Sequence, residues 1–303
     1  MEKVRVKIPA STANVGPGYD VYGIALSLYN TITLEKSNSL QIVISGSKAD
    51  KSIPADKSNL VYQSIKRFYG SIQKPCPEFN LTIDCNIPLA SGLGSSSTAI
   101  VGGIAAANKL EGEPLSVDEL ITLAWKIEGH PDNTTTAILG GFVISTITEN
   151  NTIAFRKLSW PKQWQIIIAH PEYQVSTQQA RNVIPANVSI QDAIYNMSRC
   201  SFLVYAICNQ DDKALKMSLK DKLHQQYRSK LIPGLNEIIE ELETMDVYGT
   251  VLSGAGPSIC IITKNDNDNE ITSRIKEIWK SKNLEGEFFR PVVDNIGLHY
   301  FKE

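Results

Sequence analysis

A stretch rich in glycine and serine, Asn86 to Ala107, holds the residues best suited to bind an anion. Gly92 and Gly94 allow backbone conformations that are closed to residues with a Cβ, so that successive amide groups can point into one concavity. Ser95 to Ser97 and Thr98 follow directly, and apolar residues then recur at helical spacing. A glycine loop that ends on a helix N-terminus offers unpaired N–H donors, so this stretch predicts a phosphate-binding loop.

The loop matches neither of the two commonest phosphate-binding sequences. It lacks the Gly-Lys-Ser/Thr ending of a Walker sequence and the Gly-x-Gly-x-x-Gly pattern of a dinucleotide site. Taken alone, it also fits an ordinary glycine turn capped by serine. Its hydroxyls add donors and a ligand for the magnesium that accompanies a nucleotide. The choice between these readings depends on the motifs elsewhere in the chain.

Glu128 is a second residue that could take part in such chemistry. The helix before it begins with a capping box, Ser116 to Glu119, and ends at Glu128-Gly129. A carboxylate at the negative end of a helix dipole is unfavourable by about 0.3–1 kcal/mol unless a cation compensates it. Glu128 is therefore either a solvated surface glutamate or a ligand for a cation.

The elements that would position these residues form two groups. Val4 to Ile8 reads as an opening strand, and Thr31 to Glu35 with Leu40 to Ser45 reads as a hairpin. The sequence turns polar around Asn150 and Asn151, and Trp160-Pro161-Lys162 reads as a connection from one domain to the next. We therefore expect two domains, residues 1–158 and 159–303. The order of elements in the second half predicts an α+β sandwich with an antiparallel sheet.

Composition narrows the class of protein further. The 303 residues carry a formal net charge of -2 and no basic run, so we expect no nucleic-acid partner. The five cysteines form no Cys-x-x-Cys pair, which favours a reducing compartment. No apolar signal segment precedes the first strand, and no apolar run is long enough to cross a bilayer. We therefore expect a cytoplasmic protein that does not bind membranes.

Three glycine-bearing loops, in their order along the chain, resemble the signature motifs of the GHMP small-molecule kinases. They are Pro9 to Asp20, Pro88 to Thr98 and Ser253 to Ser258. Within that superfamily the chain is most similar to the homoserine kinase family, and the likeness extends from Val4 to the C-terminal strand. The segments that carry it are Leu93 to Ser96, Glu128 to Asn133, Thr177 to Arg181 and His224 to Arg228, together with Asn14 and Asp20 of the first loop.

The resemblance implies a fold and a reaction that the composition does not. The fold is α+β, with an N-terminal β-α-β domain of left-handed crossover, a ferredoxin-like C-terminal domain and the active site between them. The reaction is transfer of the ATP γ-phosphoryl group to the side-chain hydroxyl of L-homoserine, on the route to threonine. The same likeness implies a homodimer.

The family pattern also implies which residues hold the nucleotide. The triphosphate lies in the glycine loop, the adenine lies near Asn59, and Mg²⁺ is bound by Ser96 and Glu128. The full set of predicted nucleotide-binding residues is Asn59, Pro88, Leu89, Ala90, Ser91, Gly92, Leu93, Gly94, Ser95, Ser96 and Ser97.

A second set of residues resembles the family's acceptor site. Arg181 and Arg228 match the arginines that bind the carboxylate, and a guanidinium fork suits a carboxylate better than a lysine does. Asp20 is the natural partner of the ammonium group. Asn14, His130 and Asn133 match groups around the amine and the hydroxyl, and the residues implied in catalysis are Thr177, Asn14 and Asn133.

The chain departs from the family pattern in two places. Thr134-Thr135-Thr136 replaces a more usual Val-Ala-Pro-like run, and Ala255 stands where serine is common in the third loop. Related kinases for mevalonate and galactose carry an aspartate near the place where this chain has Thr177, and homoserine kinases resemble this chain in lacking that aspartate. Two other functions stay open: a GHMP kinase for mevalonate or shikimate, and a catalytically silent relative that binds a metabolite.

Overall fold

Two β-sheets form the framework of the protein, for which a computed structural model describes residues 2–264 and 268–301. The strands of the first half are β1 (Lys3–Ala13), β2 (Tyr22–Ser37), β3 (Gln41–Ser45), β4 (Glu78–Asp84), β5 (Phe142–Ile147) and β6 (Ile153–Leu158). Its helices are α1 (Leu60–Ser71), α2 (Ser95–Leu110), α3 (Val117–Glu128) and α4 (Pro131–Leu139).

The second half supplies the other sheet and one returning strand. Its strands are β7 (Gln165–Pro171), β8 (Val247–Leu252), β9 (Ile259–Thr263), β10 (Gly286–Phe289) and β11 (His299–Tyr300). Its helices are α5 (Thr177–Asn182), α6 (Ile190–Asn209), α7 (Asp212–Ser218), α8 (Gln225–Arg228), α9 (Leu235–Glu243) and α10 (Asp268–Ser281), with a 3₁₀ turn at Ser229–Leu231.

The first sheet is built around the long strand β2. On one side β1 pairs with it in antiparallel fashion, with an irregularity between Pro9 and Ala10. On the other side β2 pairs with β5 near its start and with β4 near its end. The alternation of Val4, Val6 and Ile8 buries one face of β1 against the core, as the sequence predicts.

The prediction of a hairpin between Thr31 to Glu35 and Leu40 to Ser45 is wrong. Both segments are strands, but β4 lies between them and pairs with β2 on one edge and with β3 on the other. Leu81 of β4 is thus opposite Leu34 on one side and Ile42 on the other. Alternating apolar residues identify a strand without identifying the neighbour that completes its hydrogen bonds.

The second sheet has the strand order β10-β7-β9-β8, and every pairing in it is antiparallel. If β7, β8, β9 and β10 are numbered 1 to 4, this order is 4-1-3-2, and helices follow the first and third of these strands. This is the ferredoxin-like arrangement that the family resemblance implies. Apolar residues of α9 and α10, such as Ile238 and Ile275, pack with Ile167 and Ile261 of the sheet. This packing closes the outer face of the second sheet.

The two sheets share a hydrophobic core. Leu26 and Phe142 from the first half belong to the same buried cluster as Trp164, Val251 and Ile262 from the second. The chain also returns from the second half to the first sheet, where β11 pairs with β1 at the edge. The predicted boundary after residue 158 stays a prediction, and the strand at the end of the second half belongs to the first sheet.

Among the described residues, no helix has both the length and the apolar character needed to cross a membrane.

Candidate active site

The glycine loop before α2 has the geometry of an anion site. Gly92 and Gly94 have φ values of +79° and +70°, which favour glycine, and α2 begins directly afterwards at Ser95. The first amides of an α-helix have no partner within the helix, so those of Ser95 and Ser96, which line the crevice, are available to a ligand. Gly94 precedes them without a side-chain cap, which leaves this end of the helix open.

Contacts from distant segments hold this loop in place. The Ser11 amide donates to the Leu93 carbonyl at 3.1 Å, and Ser253 Oγ donates to the Gly92 carbonyl at 2.8 Å. A Cβ on Gly92 would lie 2.2 Å from the Ser253 carbonyl oxygen, so the two backbones approach too closely for any other residue. The loop that contains Ser253 therefore supports the phosphate-binding loop.

Glu128 lies beside the start of α2. Its Oε1 accepts hydrogen bonds from Ser96 Oγ at 2.6 Å and from Ser97 Oγ at 2.9 Å, and its side chain is only 8% exposed. His130 Nε2 lies 3.8 Å from the same oxygen. A nearly buried carboxylate at the negative end of α3 thus has two neutral hydroxyl donors, a set that fits a divalent cation.

His130 and Asp132 form a pair at the start of α4. His130 Nδ1 is 2.8 Å from Asp132 Oδ1. Burial alone lowers the pKa of His130, but its hydrogen bond to Asp132 and the charges of Asp132, Glu128 and Asp20 outweigh this effect and raise the pKa. Asn133 joins this pair, because its backbone amide donates to Asp132 Oδ1 at 2.8 Å, and its side-chain carbonyl accepts from Ser11 Oγ at 2.8 Å.

Asn14 positions Asp20 within the first loop. The Asn14 side-chain amide donates to the Gly254 carbonyl at 2.8 Å, and its Oδ1 accepts from the Asp20 amide at 3.0 Å. Asn14 and Asp20 have φ values of +69° and +57°, so the loop holds both in the left-handed region. Both ends of the Asn14 amide are thus engaged by the protein itself, while the Asp20 carboxylate faces the crevice.

Asp20 and Arg181 form a two-pronged ion pair. Arg181 Nη2 donates to Asp20 Oδ1 at 2.8 Å and Nη1 donates to Oδ2 at 2.9 Å. Nη1 also donates to the Tyr19 hydroxyl at 3.0 Å. The predicted partners of the acceptor's ammonium and carboxylate are therefore bonded to each other.

Arg228 is held by neutral acceptors. It is 2% exposed, its Nε donates to the Ala180 carbonyl at 3.1 Å, and its Nη1 donates to the Gly254 carbonyl at 2.9 Å. Its guanidinium carbon also lies 5.0 Å from the centre of the Tyr19 ring. Within the described part of the chain no carboxylate pairs with Arg228, so its positive charge is available to an anion in the crevice.

The sequence interpretation missed the residues that support Arg228. It named His224 only as part of a family-like segment and gave it no role, whereas His224 and Arg228 are both buried, at the start and the end of the short helix α8. His224 Nε2 lies 2.8 Å from the Gly16 carbonyl, so Nε2 carries the proton and Nδ1 accepts from Arg228 Nη1 at 3.4 Å. Burial lowers the pKa of His224 and keeps the ring neutral. The i, i+4 spacing of the two residues was the available signal.

Asp221 fixes the helix that carries both residues. Its carboxylate accepts from the amides of Leu223, His224 and Gln225 at 2.7–2.9 Å and from the Asn196 side chain at 2.8 Å. Burial raises the pKa of Asp221, but the nearby His224 ring and these hydrogen bonds outweigh that effect and lower the pKa. Asp221 is therefore the N-terminal anchor of α8.

Most of the predicted site residues line one crevice of about 480 Å³, to which both halves of the chain contribute. It brings together the predicted residues Asn14, Asp20, Asn59, Leu89, Ala90, Ser91, Gly92, Gly94, Ser95, Ser96, Glu128, His130, Asn133, Thr177, Arg181 and Arg228. Three predicted nucleotide-binding residues do not line it: Pro88, Leu93 and Ser97. Leu93 packs in the hydrophobic core that the two sheets share, and Ser97 Oγ donates a hydrogen bond to Glu128 Oε1.

One end of the crevice is apolar, and the sequence interpretation named only Leu89 of the apolar residues there, beside Asn59. It is lined by Ile53, Pro54, Leu60, Ile83 and Leu89, which come from four separate segments. Asn59 stands beside them and caps α1 by accepting from the Val61 amide at 2.9 Å. A flat apolar group fits this end, and charged groups line the other.

Comparison with known proteins gives a consistent result across the chain. Residues 59–141 match the model of the GHMP kinases N terminal domain, and residues 203–281 match that of the GHMP kinases C terminal. The chain is 39% identical over 294 residues to a homoserine kinase from Desulfitobacterium hafniense, covering 97% of this chain and 98% of that one. It is 40% identical to a homoserine kinase from Carboxydothermus hydrogenoformans, covering 94% and 92%.

A solved structure agrees with these sequence matches. The crystal structure of homoserine kinase from Cytophaga hutchinsonii superimposes with a TM-score of 0.88 at 27% identity, covering 99% of this chain and 98% of that one.

Proposed function

This chain belongs to the homoserine kinase family of the GHMP kinases, and from that premise we propose how its crevice carries out the reaction. The enzyme phosphorylates the side-chain hydroxyl of L-homoserine with ATP and releases O-phospho-L-homoserine and ADP. One observation supports the proposal above all. The phosphate-binding loop and the charged group of Asp20, Arg181 and Arg228 line the same crevice.

ATP is proposed to lie along the crevice with its adenine at the apolar end, near Asn59 and Leu60. Its phosphates then reach the amides of Ser95 and Ser96 and the backbone of Gly92. A helix N-terminus favours negative charge through both its free amides and its dipole. This orientation directs the γ-phosphoryl group toward the charged end.

Mg²⁺ is proposed to bind Ser96 and Glu128. Ser96 Oγ and Glu128 Oε1 are already 2.6 Å apart, and carboxylate and hydroxyl oxygens are suitable ligands for Mg²⁺. The Glu128 side chain is also almost buried. When bound, the ion would offset negative charge on the phosphate oxygens. Ser97, which also donates to Glu128, keeps that carboxylate turned toward α2.

The acceptor is proposed to bind at the charged end of the crevice. Arg228 and Arg181 would hold its carboxylate, Asp20 its ammonium group, and His130 and Asn133 would lie near its hydroxyl. Asn14 lines this end too, and the role that its contacts support is to orient Asp20.

Among the described residues that line the crevice, no carboxylate is free to act as a general base. Asp20 is bonded to Arg181, Asp132 to His130, and Glu128 to two serine hydroxyls. We therefore propose that the hydroxyl proton passes to the transferred phosphoryl group itself. Thr177, the exposed first residue of α5, would orient that group, and positioning would supply most of the rate gain.

An acceptor panel tests the assignment. ADP release is measured with L-homoserine, mevalonate, shikimate and L-serine at equal concentrations. We expect turnover with homoserine to exceed the others clearly. Preference for mevalonate or shikimate would move the chain to another GHMP activity, and nucleotide binding without turnover on any acceptor would favour a silent metabolite-binding relative.

We also expect a homodimer in a reducing, cytoplasmic setting. All five cysteines are free within the structure, as is usual in such a compartment. Light scattering on the purified protein tests the oligomeric state.

A further inference from the structure

The long helix α6 carries apolar residues on its outward side and its charged residues on the other. Its outward side is a stripe of exposed residues at helical spacing, called here the α6 stripe: Ile190, Ile194, Met197, Ser201, Tyr205 and Cys208. Between 53% and 66% of each of its four largest side chains is exposed. No charged residue belongs to the stripe, although a helix that faces solvent normally presents charged and polar residues.

The charged residues of α6 lie across the helix from the stripe. They are Asp192 and Arg199. Asp192 Oδ1 lies 3.6 Å from Lys222 Nζ, and the guanidinium carbon of Arg199 lies 4.4 Å from the centre of the Tyr195 ring. Helix α10, in the same half of the chain, has the usual pattern and exposes charged residues such as Lys280. The α6 stripe therefore has the composition of a surface that another apolar surface covers.

Resting on the homodimer proposed above, we infer that the α6 stripe of a second copy covers it. Two α6 helices packed antiparallel across a two-fold axis near residue 199 set large side chains opposite small ones. Met197 of each copy then faces Ser201 of the other, and Ile190 faces Cys208. A two-fold interface uses the same surface on both copies, so it must be self-complementary in this way.

The apolar area on α6 is large enough for such an interface. Val188 and Phe202, which flank the stripe, are 42% and 43% exposed. Together with the four largest residues of the stripe they expose roughly 600 Å² per copy, since a whole aromatic side chain has about 150–250 Å². Two copies would bury roughly 1,200 Å², which reaches the lower bound for a stable protein–protein interface.

The inner face of α6 links this interface to the active site. Asn196 Nδ2 donates to the Pro17 carbonyl at 3.1 Å and to Asp221 Oδ1 at 2.8 Å. Cys200 Sγ donates to the same Pro17 carbonyl at 3.3 Å. The helix thus supports both the first loop, which carries Asp20, and the anchor of α8. A second copy that immobilises α6 therefore steadies the acceptor end of the crevice.

Charged substitutions at Met197 test the interface. In the antiparallel arrangement the two Met197 residues lie about 6 Å apart along the helix axis, at a rise of about 1.5 Å per residue. Met197→Glu and Met197→Lys each bring two like charges together there, and both new residues favour a helix. By light scattering, each variant alone should have half the molar mass of the wild type. Mixed in equal amounts, the two variants should regain the dimer mass, because unlike charges then meet.

Met217→Glu is the matched control. Met217 is also about half exposed, at 51%, but it lies on α7 outside the stripe, so this variant should keep the dimer mass. The monomeric variants should have a KM for homoserine about fivefold above that of the wild type, with KM for ATP unchanged. The mixture of the two Met197 variants should recover the wild-type value.

The opposite results would overturn the inference. A monomeric wild type, charged variants that stay dimeric, or a mixture that stays monomeric would each show that two α6 stripes do not meet. Monomeric variants with the wild-type KM for homoserine would overturn the link to the acceptor end. Molar mass is measured without turnover, so a wild type inactive on homoserine would overturn the proposed function and leave the interface to be decided by mass.

Discussion

The two ends of the crevice are built in different ways. At the phosphate end, the binding groups are main-chain amides from one continuous stretch around Gly92 and Ser96. At the acceptor end, they are side chains from residues as far apart as Asp20, His130 and Arg228, each held by a hydrogen bond or ion pair to another residue. The first end depends on local backbone conformation, and the second depends on the completed fold.

This difference says where each end is vulnerable. A main-chain site tolerates changes of side chain but not changes that move the backbone. A side-chain site fails when one group, or the residue that orients it, is altered. The predictions below test that contrast, beginning with the largest effect.

Gly92→Ala should be the most damaging change. The new Cβ would lie 2.2 Å from the Ser253 carbonyl at a φ of +79°, so the loop must move. Displaced amide donors should lower kcat/KM for ATP by about 10³-fold. Gly112→Ala is the control, because its φ is also positive but no atom lies within 4 Å of the added Cβ. Similar kinetics for the two variants would contradict the main-chain account of this end.

Arg228→Lys should have the next largest effect on activity. Lysine keeps the charge but loses the fork that bonds to the carbonyls of Ala180 and Gly254. We expect kcat/KM for homoserine to fall about 10²-fold, with KM for ATP unchanged. Arg274→Lys, on the exposed surface of α10, serves as the control. A parallel rise in KM for ATP would mean that the two ends are not separate.

Thr177→Ala should have a moderate effect on turnover alone. Loss of one hydroxyl contact to a charged phosphoryl group should lower kcat by about tenfold, without unfolding the protein. Steady-state rates and thermal unfolding should be measured beside Thr152→Ala, an exposed threonine in another turn. Unchanged turnover at saturating substrate would remove Thr177 from the mechanism.

Asp221→Asn should reveal the support beneath Arg228 mainly through stability. The pKa of Asp221 is lower in the folded protein than its unfolded value of about 3.9, so the carboxylate stabilises the fold above that pH. This contribution is lost as the pH falls through the folded-state pKa. The variant should therefore be less stable by about 1–3 kcal/mol at neutral pH, with the difference closing under acid conditions.

Urea unfolding between neutral pH and strong acid measures that difference. The exposed Asp246→Asn should change the free energy of unfolding by less than about 0.5 kcal/mol throughout. A gap between wild type and Asp221→Asn that stays constant down to the lowest pH would rule out the proposed ionic support.

The same contrast explains what could be predicted from the sequence. The glycine loop, the capping box before α3 and the position of Glu128 follow from neighbouring residues, and the structure has them as expected. The acceptor residues were found only through the family resemblance. Tyr19 and His224 were given no role because their contacts join residues far apart in the chain, such as His224 and Gly16, which are 208 positions apart. Asp221 was missed as well, although three of its hydrogen-bond partners lie within four residues of it.

Strand pairing was hidden for a similar reason. The pattern of Leu40 to Ser45 identified β3, yet its partner β4 follows a whole helix later in the chain. Local periodicity reports which face of an element is buried, and it carries no information about the segment that lies beside it.

The pairing of β11 with β1 has a consequence for how the protein folds. Val6 and its partner Tyr300 lie 294 positions apart, so this edge of the first sheet closes only after distant parts of the chain have come together. An unpaired strand edge invites association with other chains. Until β11 is in place, β1 is therefore an edge strand at which two copies of the chain could pair wrongly.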